Sequence, residues 1–560
     1  MSSVTPFNGD LLPVIEFANI ALVGHRIRDS LCKTHSSNSF SSTMLALIAA
    51  LLLLTNAFGQ RCDPGRPGQR IQDCPMPSVS AGPDPIQLRF TTMTTVFPTV
   101  SLTTRVFALG NAQPTLPAPF IHIKRGQTFQ VELHNDLVRG SQIDRNTKKN
   151  GFGDANTTNL HLHGLHIDSK SPGDDMSIKV PPSDKFTYTY KISNDHAAGL
   201  FLWHTHHHGS VSLQFAGGAV GLLVLEDDEL NCPQGFLQTL QSTFLLVQRI
   251  QPAEIQDFQL LCNDDIKNDI KDLTEFYIVN GLITPIITLP RNRWHRLRIS
   301  HASVAISLDA SIPGCDMVLL AIDGVYLFTP RVTTYMEFHP ASRADIAIRC
   351  PAAASITDEV GSVIANIEVV DNMTGPETID LTAWKWNRPS YIPDLRKQPV
   401  AAKWFADVDL YQPLINRRTF KGMDRKMALT EARVGTVQEW KFESSAHPMH
   451  LHVYHMQLAE DASHFYKAGD YVDQIKGSGI VVRVFFDRFD GPAMIHCHVL
   501  RHEDQGLMGH IWVHNDSVEL NKVDDPSSSS RSDQSSADSL LRNWHLLAWA
   551  ALISLLFTQV

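Results

Sequence analysis

The sequence lacks a long run of basic residues of the kind that follows a phosphate backbone. Its 48 Lys+Arg are outnumbered by 58 Asp+Glu, which gives a formal net charge of -10 at pH 7. Stretches with the apolar periodicity of long amphipathic helices are also scarce. The first absence excludes nucleic acid as an expected partner, and the second points to a chain built from strands.

An apolar run near the N-terminus predicts export. From Met44 the chain reads "MLALIAALLLLTNAFGQ", with Ala57 and Gly59 at the −3 and −1 positions of a cleavage site. We interpret residues 1–59 as a presequence whose signal peptide core is 44–59. Because 43 residues precede this core, either Met44 is the true start or the segment is an uncleaved anchor.

The C-terminus carries a second signal. Residues 518–540 are a Ser-rich segment, interpreted as a flexible stalk, and 541–560 end in the apolar tail "WHLLAWAALISLLFTQV". Small residues, a polar spacer and a terminal apolar tail are typical of a glycolipid (GPI) anchor signal. A single-pass helix is the alternative, although about 16 apolar residues are fewer than the ~20 of a span. We predict a protein of the secretory pathway that is tethered to the cell surface or extracellular.

Cysteine usage agrees with export. Of the eight cysteines, Cys32 precedes the signal core and seven follow Gly59. An odd number in an exported chain indicates one reactive or metal-bound thiol, which we assign to Cys497. The other six allow 15 connectivities, of which nearest-neighbour pairing is Cys62–Cys74, Cys232–Cys262 and Cys315–Cys350. Sequons at Asn156, Asn372 and Asn515 predict a glycosylated surface.

The segment between these signals has the pattern of an all-β protein. Short alternating runs such as "KFTYTYKI" and "TFLLVQRI" are separated by Gly, Pro, Asn and Asp, as in β-sandwiches. Three stretches repeat a strand, a turn and a second strand: "IHIKRGQTFQVEL", "ITLPRNRWHRLRI" and "EARVGTVQEWKFE". We predict three consecutive β-sandwich domains at 86–230, 236–376 and 380–517.

Histidines are arranged in pairs that suit metal binding. Random placement of 26 histidines would yield roughly one His-x-His pair. The chain has five: His161/His163, His204/His206, His206/His208, His450/His452 and His496/His498. Residues two apart on a strand face the same side, so each pair can offer two imidazoles to one site.

The tripeptide "HCH" at 496–498 predicts two linked metal sites. Strand alternation sends Cys497 to the face opposite His496 and His498. A thiolate with two imidazoles, here Cys497 with His502 and another histidine, is the ligand set of a blue-copper electron-transfer site. The flanking histidines then hold a different centre, one covalent step away.

The segments "HLHG", "WHTH", "HPMHLH" and "HCHVLRH", in this order, resemble the four copper motifs of multicopper oxidases. The resemblance covers about Phe90 to His514. It implies three cupredoxin-like Greek-key domains and four copper ions, one of type 1, one of type 2 and a type 3 pair. The type 1 ligands that it implies are His447, Cys497 and His502, and the type 2 ligands are His161 and His450. For the type 3 pair it implies His163, His204, His206, His452, His496 and His498.

Three further positions follow from the resemblance. The residue five after His502, which in many relatives is an axial methionine, is Leu507, which cannot ligate and should raise the type 1 potential. Met508 is one residue late. Asp174 and Glu503 lie where relatives place acidic residues that relay protons to the trinuclear centre, although Asp175 competes with Asp174. Five other histidines are expected outside the ligand set: His166, His207, His208, His455 and His510.

The resemblance implies a laccase-like enzyme, expected to be a monomer, that couples one-electron oxidation of phenols or aromatic amines to four-electron reduction of O2. Its partners are O2 and a small reducing substrate. A surface ferroxidase is the alternative, for which Glu460, Asp461 and Asp470 are candidate Fe²⁺ contacts by proximity in sequence. A copper-storing protein without turnover is a third reading, disfavoured because no ligand position is missing.

We predict that a phosphatidylinositol-specific phospholipase releases the protein from intact cells, because only a glycolipid anchor contains the bond that it cleaves. Truncation after about Asp525 should likewise yield a soluble enzyme with unchanged activity. Immunodetection in the medium measures both. Protein that stays on the cells after lipase treatment, while the truncated form is released, would indicate a spanning helix instead.

Overall fold

The computed structural model describes residues 62–138 and 150–516. The predicted signal peptide, Ser-rich stalk and C-terminal tail, and with them Cys32, lie outside these residues. Within the two described ranges, no helix has both the length and the apolar character needed to cross a bilayer. The anchor therefore stays a prediction.

The first part of the chain forms two sheets that enclose a common core. Leu88, Phe90 and Val131 of one sheet pack with Ile121 and Leu223 of the other. In β5 the alternation predicted for a half-buried strand is seen directly, since its residues are alternately buried and partly exposed. The strands are β1 (Ser78–Ser80), β2 (Ile86–Val96), β3 (Val100–Leu109), β4 (Phe120–Ile123), β5 (Thr128–Asn135), β6 (His161–His163), β7 (Lys185–Lys191), β8 (Gly199–His204) and β9 (Val220–Leu225), with helix α1 (Val211–Ala216) between the last two.

The middle part forms a seven-stranded and a five-stranded sheet. Its strand β15 is buried along its whole length because it lies between β10 and β20, in the interior of the larger sheet. The short strand β11 instead pairs with β3 and extends a sheet of the first part. The elements are β10 (Ser242–Ile250), α2 (Pro252–Leu261), β11 (Asp269–Ile270), β12 (Phe276–Val279), β13 (Leu282–Ile283), β14 (Ile286–Pro290), β15 (His295–His301), β16 (Leu308–Ser311), β17 (Asp316–Ile322), β18 (Val325–Thr333), β19 (Tyr335–Phe338), β20 (Arg343–Arg349), β21 (Ala354–Thr357) and β22 (Val363–Val370).

The last part forms two five-stranded sheets. Trp440 and Val482 of one sheet pack in the same core as Leu451, Ile495 and Cys497 of the other, so the thiol faces the inside of this sandwich. The strands have the orders β23-β25-β30-β27-β28 and β24-β32-β31-β26-β29. They are β23 (Ala402–Asp407), β24 (Thr430–Arg433), β25 (Thr436–Glu443), β26 (Met449–Leu451), β27 (Met456–Leu458), β28 (Tyr471–Val472), β29 (Gln474–Ile475), β30 (Ser478–Phe486), β31 (Gly491–Cys497) and β32 (Met508–His514), with helix α3 (Leu500–Asp504).

These sheets confirm the predicted all-β fold class. The described helices are short: α2, the longest, has 10 residues, and the remaining helical segments include single 3₁₀ turns such as Ile71–Asp73 and Leu395–Lys397. The exact domain boundaries at 86–230, 236–376 and 380–517 stay a prediction.

Two of the three expected disulfides are present, Cys62–Cys74 and Cys315–Cys350. The pairing of Cys232 with Cys262 is wrong, since both are free and buried. The reason is that the two thiols lie in different apolar clusters. Cys232 Sγ donates to the carbonyl of Asp228 at 2.9 Å. Burial raises the pKa of Cys232 to about 12 and also raises that of Cys262, so neither thiol is activated.

The three sequons differ in accessibility. Asn372 and Asn515 are exposed. The amide nitrogen of the half-buried Asn156 donates to the carbonyl of Val138 at 3.1 Å, and its oxygen accepts from Arg105 Nε at 2.8 Å. Glycosylation stays a prediction, and it suits Asn372 and Asn515 better than Asn156.

We expect Cys232 and Cys262 to resist alkylation in the native protein and to react fully once it is unfolded without a reductant, because burial alone protects them. Peptide mass spectrometry measures the labelled fraction. Cys62, Cys74, Cys315 and Cys350 serve as internal controls and should stay unlabelled until a reductant is added. A peptide pair joined through Cys232 and Cys262 would contradict this arrangement.

Candidate metal centre

Eight predicted ligand histidines meet in one buried cluster, here called the eight-histidine cluster. It joins the first and last parts of the chain: the imidazole of His163 stacks on that of His450 at 3.8 Å, and His161 stacks on His452 at 4.0 Å. Each of the eight side chains is at most 2% exposed. The members are His161, His163, His204, His206, His450, His452, His496 and His498.

Strand pairing brings the members of this cluster together. His161 pairs with His204 across β6 and β8. His450 pairs with His496 across β26 and β31. Two strand pairs, one from each part of the chain, therefore present imidazoles toward the same volume.

Within the cluster, the ring nitrogens converge in threes. The ligand atoms of His163, His204 and His498 lie within 4.8 Å of one another. Nε2 of His496 lies 3.2 Å from Nε2 of His206 and 3.1 Å from Nε2 of His452. Together these two triads contain the six histidines expected for the type 3 pair.

Hydrogen bonds at the opposite ring nitrogen set which atom faces the centre. His161 Nδ1 lies 2.8 Å from Asp174 Oδ2, and His450 Nδ1 lies 2.8 Å from the carbonyl of Asp473. In both rings Nε2 is buried without a partner. His163 is turned the other way, with Nε2 3.2 Å from Asp473 Oδ1, which leaves its Nδ1 for the centre.

Burial lowers the pKa of all eight imidazoles below the ordinary value. The neutral ring, with one lone pair, is the form that binds a metal ion. Buried polar atoms without a hydrogen bond are uncommon in proteins, and here several of them point into one volume. The donor set therefore fits metal ions, and all-imidazole sites suit copper.

The two predicted acidic residues lie against this cluster. Asp174 contacts His161 and accepts a hydrogen bond from the backbone of Leu162 at 2.9 Å. Glu503 has one oxygen 3.2 Å from His206 Nδ1 and the other 3.0 Å from His496 Nδ1. Burial raises the pKa of Asp174 to about 8 and that of Glu503 to about 7.

Asp175 does not take the place of Asp174. Its carboxylate accepts from the backbone of Ser177 at 2.8 Å, in a local turn. For the two predicted acids, Asp174 and Glu503, burial raises the pKa toward neutral pH, which suits a proton relay. That role stays a prediction.

Sequence reasoning missed Asp473 and Arg343. Asp473 contacts His163 and His450, and Arg343 pairs with Asp473 in the buried interior. Asp473 lies in "YVDQIKG" and Arg343 in "PASRADIAI", outside the four histidine-rich segments. The only available signal was a charged residue within an otherwise apolar strand pattern, which does not identify its partner.

A second group of ligands lies beside the eight-histidine cluster. Cys497 Sγ is 3.4 Å from His447 Nδ1 and 3.8 Å from His502 Nδ1, and the two Nδ1 atoms are 3.2 Å apart. The backbone N–H of Val499 donates to the sulfur at 3.3 Å. His447 and Cys497 are buried, whereas His502 is only partly buried. One thiol and two imidazoles form the set predicted for type 1 copper.

The backbone around this group distinguishes Leu507 from Met508. Met508 pairs directly with His496 across β31 and β32, so its side chain lies on the face of His496, opposite that of Cys497. Leu507 is fully buried, accepts a hydrogen bond from Cys497 N at 3.0 Å and donates to the His502 carbonyl at 2.8 Å. Leu507 is thus the better candidate for the axial position.

Three of the five histidines predicted to lie outside the ligand set make other hydrogen bonds. His166 Nδ1 lies 2.8 Å from the carbonyl of Val453, and His207 Nε2 lies 3.3 Å from Asp154. His208 Nε2 lies 3.2 Å from Asn150 Oδ1. These contacts fit their expected placement outside the ligand set.

Comparisons with known proteins agree with this geometry. Two family models described as "Multicopper oxidase" match residues 92–230 and 394–517. A curated protein, "Multicopper oxidase mco" of Staphylococcus haemolyticus, is 23% identical over 71% of this chain and 83% of its own length.

Solved structures share the fold. A bacterial laccase-like multi-copper oxidase from Ochrobactrum sp., with oxidase activity towards lignin model compounds, superposes with a TM-score of 0.61 at 20% identity, over 79% of this chain and all of that one. A multicopper oxidase from Campylobacter jejuni described as a metallo-oxidase gives 0.58 at 20% identity, over 81% and 98%. The all-β sandwiches are therefore cupredoxin domains.

Replacing Leu507 by methionine should lower the type 1 potential by something on the order of 100 mV, because a thioether donor stabilises the oxidised metal. That is about 2.3 kcal/mol for one electron, so substrates that are hard to oxidise should slow most. Redox titration of the blue absorption measures the shift. Met508→Leu is the matched control. If the type 1 potential shifts in Met508→Leu but not in Leu507→Met, the axial residue is Met508.

Proposed function

Since the chain belongs to the multicopper oxidase family and is a copper-dependent oxidoreductase that uses O2, we propose that its reducing substrates are phenols or aromatic amines. We further propose four coppers: type 1 at His447, Cys497 and His502, type 2 at His161 and His450, and a type 3 pair. The type 3 ligands are His163, His204 and His498 for one ion and His206, His452 and His496 for the other. The proposal of substrate class rests on the partly exposed ring of His502 in the type 1 group.

Copper supplies one-electron redox steps, and four such ions match the four electrons needed to reduce O2 to two waters. The residues of the chain do the rest. Cys497 is bonded through the backbone to His496 and His498, which gives a continuous covalent route between the two groups of ligands. Asp174 and Glu503 hold protons next to the cluster, where water must be formed.

Access to the type 1 group favours small aromatic substrates. Of its three side chains, His502 alone is more than slightly exposed, so an electron can enter at its ring edge. The backbones of Asp409 and Leu410 lie beside His447 and oppose the burial that lowers its pKa. In the same loop, Leu410 is 47% exposed and Tyr411 is 90% exposed. An aromatic ring can pack on such a surface while its edge approaches His502.

Oxidation of Fe²⁺ is a second candidate, favoured by Asp409. Its exposed carboxylate acts electrostatically on His447, and carboxylate oxygens suit hard cations. Two of the three acids proposed from sequence proximity form ion pairs: Asp470 pairs with Arg331 at 2.6 Å and Asp461 with Lys467 at 3.0 Å. Asp409, whose Oδ1 accepts from the backbone of Tyr411 and Gln412 at 2.9 Å, is therefore preferred to these two as the candidate Fe²⁺ contact.

The decisive experiment compares O2 consumption with a phenol, an aromatic diamine and Fe²⁺, for the wild type, Cys497→Ser and Asp409→Asn. We expect the wild type to prefer the two aromatic substrates by kcat/KM. Cys497→Ser should lose the blue absorption and all oxidase activity while it still folds, because the entry thiolate is gone. Asp409→Asn should leave oxidation of the neutral phenol nearly unchanged.

Other outcomes separate the alternatives. A preference for Fe²⁺ that Asp409→Asn abolishes would establish a ferroxidase. A blue protein that consumes no O2 with any of the three substrates would indicate copper storage. Blue colour retained in Cys497→Ser would refute the type 1 assignment.

A further inference from the structure

Arg343 connects all three parts of the chain from a fully buried position. It lies at the start of β20, in the middle part, which supplies no proposed copper ligand, and its side chain is 0% exposed. Its Nε donates to the carbonyl of Leu200 in β8 at 3.3 Å. Nη1 donates to the carbonyl of Ala341 and Nη2 to that of Asp323, both at 3.0 Å. The remaining N–H groups of the guanidinium face the carboxylate of Asp473, and a second buried carboxylate, that of Asp323, has Oδ1 3.7 Å from Nη1.

Asp473 links this guanidinium to two proposed copper ligands. Arg343 Nη1 donates to Asp473 Oδ1 at 3.1 Å, and Nη2 pairs with Oδ2. The same Oδ1 lies 3.2 Å from His163 Nε2 and 3.7 Å from His450 Nδ1. The backbone carbonyl of Asp473 is also 2.8 Å from His450 Nδ1. Asp473 therefore contacts one type 3 and one type 2 ligand while both of its oxygens are held by Arg343.

Gly164 shows how closely these groups are packed. This residue ends "HLHG" and has a φ of +90°. A Cβ added there would lie 2.5 Å from Asp473 Oδ2 and also against Arg343 Nη2. The position thus favours glycine both for its backbone conformation and because the ion pair occupies the space of a side chain.

We propose that Arg343 is a positioning residue for the trinuclear copper site and acts through Asp473. The proposal rests on the proposed copper ligands, and it assigns the middle part of the chain a role in holding copper. The two-point contact of a guanidinium with a carboxylate fixes the carboxylate plane. That plane directs the N–H of His163 toward Asp473 and its Nδ1 lone pair toward the centre. Without Arg343, Asp473 would be a buried carboxylate with no cation to orient it.

Arg296, in the same sheet as Arg343, provides a matched control that tests whether the Arg343–Asp473 pair has a purely structural role. Arg296 is 2% exposed and pairs with Asp345, with Asp227 at 2.6 Å and with the hydroxyl of Tyr326 at 2.6 Å. None of these three partners is a proposed copper ligand. Arg296→Met thus removes an equally buried arginine without altering an acid that contacts the eight-histidine cluster.

The experiment prepares Arg343→Met, Asp473→Asn, the double variant and Arg296→Met as full-length proteins and titrates each with copper. Metal analysis gives copper per chain, the blue absorption reports type 1, and electron paramagnetic resonance reports type 2. Thermal unfolding of the copper-free proteins measures stability. Arg343→Lys is included because it keeps the charge but cannot engage both carboxylate oxygens. It should still fold if Arg343→Met fails to fold.

We expect Arg343→Met to bind trinuclear copper about 10- to 100-fold more weakly, with an altered type 2 signal and a retained blue absorption. Arg343→Lys should show a smaller loss of the same kind. Asp473→Asn should resemble Arg343→Met. The double variant should bind trinuclear copper no more weakly than the single variant with the lower copper affinity, because both changes affect one contact. Arg296→Met should bind its full copper complement even where it unfolds at a lower temperature.

Two results would overturn the proposal. One is full trinuclear occupancy with an unchanged type 2 signal in Arg343→Met and Arg343→Lys. The other is loss of type 1 and trinuclear copper in equal proportion in Arg343→Met and Arg343→Lys, which would indicate a general loss of folded protein. These readouts are independent of the reducing substrate, so a wild type that binds copper but oxidises no phenol would refute the proposed substrate and not the role of Arg343.

Discussion

This structure depends on one constraint. It must hold eight neutral imidazoles in one dry volume, with a lone pair of each directed inward. Desolvation keeps the rings uncharged, and a ring without a hydrogen bond at its outer nitrogen could turn away from the centre. Backbone carbonyls and buried carboxylates contact the outer nitrogens of several of these rings, as the carbonyl of Thr205 does for His204 at 2.8 Å, whereas neither ring nitrogen of His498 has a hydrogen-bond partner among the described residues. The fold therefore supplies hydrogen-bond acceptors for outer ring nitrogens as well as the proposed ligands.

The two groups of ligands differ in access to solvent, and this difference suits their tasks. The eight-histidine cluster is closed by strands from the first and last parts of the chain and contacts three buried acids, Asp174, Asp473 and Glu503. The type 1 group lies in the core of the last sandwich with one imidazole reaching the surface. Strand alternation at 496–498 lets both groups share one tripeptide. In the proposed function, electrons would enter at the exposed ring of His502 and continue along covalent bonds, and the burial of the cluster would keep bulk water from the proposed site of O2 reduction.

Contacts between remote parts of the chain stabilise this arrangement. Asp504, next to Glu503, accepts from the backbone N–H groups of Gly209 at 2.7 Å and Ser212 at 3.0 Å, and so connects α3 to the start of α1. That loop directly follows His204 and His206. Together with the Arg343–Asp473 pair, this contact means that the centre forms only when the separate sandwiches have packed together.

The sequence by itself determined the all-β class, the unpaired Cys497 and the histidines that gather in the centre, because each of these is encoded in local periodicity or short spacing. Tertiary structure alone decided the rest. It separated Cys232 from Cys262, selected Asp174 over Asp175, and brought Arg343 to Asp473 across 130 residues. It also placed Asp409 beside His447. Such pairings depend on how whole sheets pack, and a charged residue in a strand pattern carries no local mark of the partner that it will meet.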